Sequence, residues 1–157
     1  MPTTEDLIMM LRVFTAFLLG GLVGWERERM RRPAGLRTHM LVAAGAACFT
    51  VASIYGFDGL GTARDPARLA AQIVTGIGFL GAGVIFRTGG SVRGLTTAAS
   101  IWMVAALGVL AGQGLYWVAS FVTVLTWFAL RVLKGAERRG GPVSTPPDED
   151  DDDDDVE

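Results

Sequence analysis

Residues 24–39 read GWERERMRRPAGLRTH and bring Glu26, Arg27, Glu28, Arg29, Arg31, Arg32, Arg37 and His39 together between two stretches that carry almost no charge. Two kinds of chemistry suit such a set: the electrostatic marking of one membrane face, or a working site of paired charges lying at that face. Glu26 and Arg29, or Glu28 and Arg32, stand three or four residues apart, the spacing at which opposite charges meet along a helix. Pro33 is expected to break that helix, and Gly35 permits a tight turn before Arg37, Thr38 and His39 lead into the next segment. A topology signal requires arginines, but it does not require glutamates interleaved with them. His39 reads as an interfacial, hydrogen-bonded histidine rather than a metal ligand.

A second candidate is TGIGFLGAG, Thr75–Gly83, which holds a literal G-x-G-x-x-G at Gly76, Gly78 and Gly81. Dinucleotide binding needs a preceding strand and an acidic residue about 20 positions on to hold the ribose. Neither is present, since no Asp or Glu lies between Asp65 and Glu137. Within an apolar segment, Ala71, Thr75, Gly78 and Ala82 instead make a stripe of small residues that lets another helix come close, as does Gly83 beyond them. This predicts a third helix at the centre of the bundle. Gly20 and Gly24 give the first helix its own G-x-x-x-G, suited to internal packing or to a homodimer.

The third candidate is RTGGSVRGLTTAAS, Arg87–Ser100. Gly89 and Gly90 allow a sharp turn, and Thr96 or Thr97 can cap the helix that follows. Its positive dipole end, with Arg87 and Arg93 beside it, suits an anion such as a lipid phosphate, or the stretch is an ordinary turn with topology arginines.

The elements that must position these residues follow from composition. Half of the 157 residues are hydrophobic, and the mean hydropathy is +0.39. The apolar residues fall in five blocks, about 7–25, 40–57, 69–86, 96–111 and 115–133, broken by charge only at Arg12 and Arg131. Each is close to the roughly 17 to 25 residues a helix needs to cross the hydrocarbon. Helices, not strands, are required, because a helix satisfies its own backbone amides in lipid and alternating barrel patterning is absent. The expected fold is therefore an all-α integral membrane protein, a bundle of five transmembrane helices over residues 1–139. Glu5 and Asp6 ahead of the first block argue for a retained anchor rather than a cleaved signal. Arg12 reaches the outer headgroups by snorkelling or makes a buried polar contact with another helix. The lone cysteine, Cys48, reads as a small packing residue.

Charge sets the expected orientation. Nine of the sixteen acids lie in DEDDDDDDVE, Asp148–Glu157; the rest of the chain holds fourteen basic against seven acidic residues. The sequence pI of 5.4 thus conceals a basic body. Basic residues crowd the first and third connections and the end of the fifth block, including Lys134, Arg138 and Arg139. Five crossings with the N-terminus outside put all of them in the cytoplasm, together with the C-terminus. Residues 140–157 combine glycine, proline and a run of like charge, and read as a disordered acidic tail.

The blocks GLVGWERE, RPAGLRTHMLV, DPARLAAQIVTGIGFLGAG and VRGLTTAASIW, in this order between about Leu18 and Tyr116, resemble the membrane domain of the bacterial MgtC/SapB family. The resemblance implies a five-helix, multi-pass inner-membrane domain linked to magnesium homeostasis, growth at low magnesium and, in some pathogens, virulence. Members are often described as transport-associated. By position, the family's shared polar residues fall on Glu26, Arg27, Glu28, Arg37, Thr38 and His39, on Arg93, Thr96 and Thr97, and on Asp65, Arg68 and Gln72.

A magnesium carrier needs oxygen ligands along its path. The five blocks hold no Asp, Glu or Asn, and Gln72 is their clear amide. No nucleophile triad, zinc spacing or P-loop occurs either, so no enzyme, metal site or cofactor is expected, Mg²⁺ being the conceivable ligand. The expectation is a small regulator that sits among membrane lipids, docks on another membrane protein and binds no nucleic acid; the alternative is a carrier of Mg²⁺ or another small solute.

Overall fold

The computed structural model describes residues 2–56, 65–88 and 91–133. They form five α-helices: α1 (Thr4–Arg29), α2 (Leu36–Tyr55), α3 (Pro66–Gly83), α4 (Leu95–Gly112) and α5 (Tyr116–Phe128). A short antiparallel hairpin, β1 (Phe86–Thr88) with β2 (Ser91–Arg93), joins α3 to α4, and α5 runs on into a π-helical turn, Ala129–Leu133. Helices α1, α2 and α4 are each long and apolar enough to cross a membrane, and Tyr116–Val132 is a shorter apolar helix. The expected acidic tail, 140–157, lies outside the described residues, as do Lys134, Arg138 and Arg139.

Helix α1 starts at a capping box. Thr3 Oγ1 accepts from the Asp6 amide, and Asp6 Oδ2 accepts from the Thr3 amide at 2.8 Å, satisfying two donors that a helix start leaves unpaired. With 26 residues the helix extends ~39 Å, more than the hydrocarbon thickness, so its charged end projects beyond it. It stops at Arg29, where Arg31 turns the chain at φ 53° ahead of Pro33.

The core lies where α2 is clasped between α1 and α4. A Cβ on Gly20 would lie 2.6 Å from the His39 carbonyl oxygen and from Ala43 Cβ, and one on Gly24 would lie 2.9 Å from Leu36 Cα. On the other side, Gly108 rests against the Ala43 carbonyl and Gly112 against Thr50. Small residues at these four positions let backbones touch, and in lipid such close packing is a main source of helix attraction. Ala16, Val23, Ala43, Ala47, Val104, Leu107, Ala111 and Ala119 fill the seam. Buried hydroxyls bond back to their own helix, as Thr50 to Ala46 O and Thr123 to Ala119 O, both 2.8 Å, which satisfies those side chains without a partner from another helix.

In helix packing, helix ends and burial, the structure differs from the sequence expectations at four places. Helix α3 is not central. Gly76, Gly78 and Gly83 have no atom within 4 Å of the position a side chain would take, and Gly81 alone approaches α4, at 3.7 Å from Ala98 Cβ; the seam it was expected to fill is closed by the glycines of α1 and α4. The third apolar block is not helical throughout, because the helix gives way at Val84 and Ile85 to i−3 turn bonds that lead into the hairpin. Neither Thr96 nor Thr97 caps α4. Gly94 does, at φ 91°, with the Val84 carbonyl oxygen packed where a Cβ would stand, a conformation that favours glycine. Cys48 is exposed rather than packed inside.

Candidate functional site: a polar cluster at the arginine-rich end

The end of α1, the start of α2 and the start of α4 meet, and polar side chains are buried there. Arg27 is 3% exposed and its Nη2 donates to Thr97 Oγ1 at 2.8 Å. Arg27 Nε has no hydrogen-bond partner among the described residues. One turn away, the fully buried His39 has Nδ1 2.9 Å from Gly35 O and Nε2 3.1 Å from Ser100 Oγ, and Ser100 Oγ is 2.8 Å from Thr97 O. This run begins and ends on carbonyl oxygens, so its three links need three protons. A neutral imidazole and the serine hydroxyl supply two; an imidazolium would supply the third. The hydroxyl's choice between Nε2 and Thr97 O is therefore tied to the imidazole's protonation.

The glutamates do not pair along α1 as their spacing predicted. Glu28 Oε2 instead accepts from the Leu36 amide at 2.8 Å. It supplies from α1 the cap that the N-cap residue Gly35 cannot give, and it sets a negative charge at the positive end of α2. Gly35 leaves room for it, since a Cβ there would lie 2.9 Å from Glu28 Oε2. Glu26 is 6% exposed, and neither of its oxygens has a hydrogen-bond partner among the described residues. An ionised carboxylate in that state is costly.

The remaining predicted site residues lie around and away from this cluster. Arg37 and Thr38 on the first turn of α2, Arg93 at the end of β2 and Thr96 on the first turn of α4 are exposed. Asp65 and Arg68 stand at the far end of α3, where the Asp65 carbonyl accepts from the Arg68 amide at 3.2 Å. Gln72 lines a groove between α2 and α3 that also contains Gly76. Ala71, Thr75, Gly78 and Ala82 are exposed along α3. Arg12 marks the opposite end of the bundle: its Nη1 donates to Gly112 O at 3.1 Å, and its guanidinium lies 5.3 Å from the centre of the Tyr55 ring. Of its two sequence readings, this is the interhelical contact.

Sequence reasoning missed Ser100, Gly108 and Gly112. Gly108 and Gly112 form a G-x-x-x-G that was legible in GVLAG; a single serine in an apolar helix carries no such signal.

The chain matches the sequence model of the MgtC family over residues 13–139. It is 57% identical over 110 residues to Protein MgtC of Brucella abortus (strain 2308), covering 69% of this chain and 44% of that protein. To Protein MgtC of Salmonella typhimurium (strain LT2) it is 49% identical over 130 residues, covering 82% of this chain and 54% of the relative. The chain thus spans about half the length of the curated relatives it matches. No solved structure matches it. With the family's pattern running across most of its length and about half of the aligned positions identical, this chain belongs to the MgtC family.

Proposed function

We propose that this chain is a multi-pass protein of the bacterial inner membrane that takes part in magnesium homeostasis by docking on another membrane protein, without catalysing a reaction and without a resident cofactor. The observation that carries this reading is the outer face of α3. Ala71, Thr75, Gly78 and Ala82 are exposed along it, nothing lies within 4 Å of the position a side chain on Gly78 would take, and apolar grooves of about 550 and 270 Å³ flank the helix on its α2 and α4 sides. Small residues promote helix association in lipid by letting backbones approach. Inside the chain that device is occupied at Gly20, Gly24, Gly108 and Gly112; on α3 it is available to the helix of a partner or of a second copy. The exposed Arg37, Thr38, Arg93 and Thr96 offer a second contact surface at the arginine-rich end. The family's link to magnesium homeostasis supplies the physiological setting.

The test is a photo-crosslinking residue placed at Thr75, compared with one at the exposed Phe14 on α1, in native membranes. The reading expects one membrane protein to be captured from Thr75 and not from Phe14, and to be lost when Gly78→Leu fills the face. A carrier of Mg²⁺ is the second reading, and the buried Glu26 is the observation in its favour. Mg²⁺ asks for several oxygens in octahedral array, whereas Glu26, Gln72 and Asp65 stand on α1, within α3 and ahead of α3. Purified protein that moves Mg²⁺ into liposomes at a rate abolished by Glu26→Gln or Asp65→Asn would replace docking with transport.

A further inference from the structure

A cleft of about 510 Å³ opens between the arginine-rich end of α1 and the end of α5. Its wall includes Glu26, Arg29 and Arg131 among Leu22, Trp25 and Trp127. Glu26 is more than nine-tenths buried and both carboxylate oxygens lack a hydrogen-bond partner among the described residues. Arg131 projects from the π-helical turn and lies 5.1 Å from the centre of the Trp127 ring. Trp25 is 63% exposed and Leu22 52%, so the apolar part of the wall opens sideways, toward the acyl region, while the charges lie at the depth where tryptophan and arginine mark a membrane interface.

We propose that this cleft holds the headgroup of a phospholipid bearing both a phosphate and a primary ammonium, with the ammonium on Glu26, the phosphate on Arg29 and Arg131, and an acyl chain along Leu22 and Trp25. The charge arrangement selects this class. A phosphate alone would satisfy the arginines and leave the buried carboxylate without a donor and beside a like charge. A trimethylammonium carries the positive charge but no N–H for the carboxylate to accept. A primary ammonium supplies both. The assignment is independent of the docking reading, because the cleft lies on α1 and α5 and not on α3.

The experiment counts lipid retained by the purified full chain, by native mass spectrometry from micelles, with phosphatidylethanolamine, its stepwise N-methylated forms up to phosphatidylcholine, and phosphatidylglycerol supplied one at a time. Retention is expected to fall roughly tenfold or more from the primary ammonium to the trimethylated headgroup, the size of one charge-assisted hydrogen bond. Glu26→Gln is expected to erase that difference, and Arg131→Gln to weaken every phospholipid. Equal retention of phosphatidylethanolamine and phosphatidylcholine by the unmutated chain would overturn the proposal even if Glu26→Gln fails to fold. So would a preference that survives Glu26→Gln, a preference for phosphatidylglycerol over phosphatidylethanolamine, or displacement of the lipid by equimolar phosphoethanolamine, which would point to a soluble ligand.

Discussion

Replacing Gly20 by alanine tests the packing on which the polar cluster depends. The added methyl would stand 2.6 Å from the His39 carbonyl oxygen and from Ala43 Cβ, neither of which is the end of a flexible side chain. Non-bonded carbons rest at about 3.5–4.0 Å, so α1 and α2 must part by roughly 1 Å. Overpacking of this kind costs ~1–3 kcal/mol, and alanine returns up to ~1 kcal/mol through its helix propensity. Gly78→Ala is the matched control, since nothing lies within 4 Å of its new methyl and the same propensity gain applies. The propensity contribution cancels between the two variants, which leaves Gly20→Ala less stable than Gly78→Ala by ~1–3 kcal/mol. Equilibrium unfolding in bicelles on titration with a denaturing detergent, followed by tryptophan fluorescence, reads the difference. A Gly20→Ala protein as stable as Gly78→Ala would refute the clasp of α2 between α1 and α4.

Thr97→Val removes the partner of a buried guanidinium whose Nε already lacks one among the described residues; it is expected to destabilise by ~1–3 kcal/mol in the same assay, with Thr97→Ser restoring most of the loss. Gly94→Ala meets both a positive φ and the Val84 carbonyl, so the yield of folded protein in a membrane extract is expected to drop sharply, and Gly94→Asn, which tolerates the φ but not the contact, should rescue little. Arg12→Gln removes the contact with Gly112 O and the stacking on Tyr55; because Arg12 is only half-buried, the loss should stay near ~1 kcal/mol in the same unfolding titration.

Much of the helical layout was legible because lipid leaves few choices: an apolar block long enough to cross must hydrogen-bond within itself, and helices therefore occupy the five blocks to within a few residues at most ends. Gly20 and Gly24 stood out for a similar reason, since small residues four apart mark a place where a backbone can approach. The same signal misled at Thr75–Gly83. A stripe states that a close approach is sterically possible and does not name the helix that makes it. Nor could spacing along α1 settle its ion pairs, because Glu28 answered an unpaired amide at Leu36, eight residues on, rather than its neighbour Arg32.

What the sequence determined alone is the membrane-protein class, the positions of the apolar helices, the concentration of basic residues at particular connections and, through its motifs, the family. These follow from local composition and from periodicity within a single segment. Only the tertiary structure decided that α1, α2 and α4 form the centre with α3 at its edge, that Arg27 meets Thr97 and His39 meets Ser100, and that Glu26 is buried on the wall of a cleft without a hydrogen-bond partner among the described residues. These facts depend on which helix faces join across tens of residues, and van der Waals fit between backbones sets that choice in a solvent where every face is apolar.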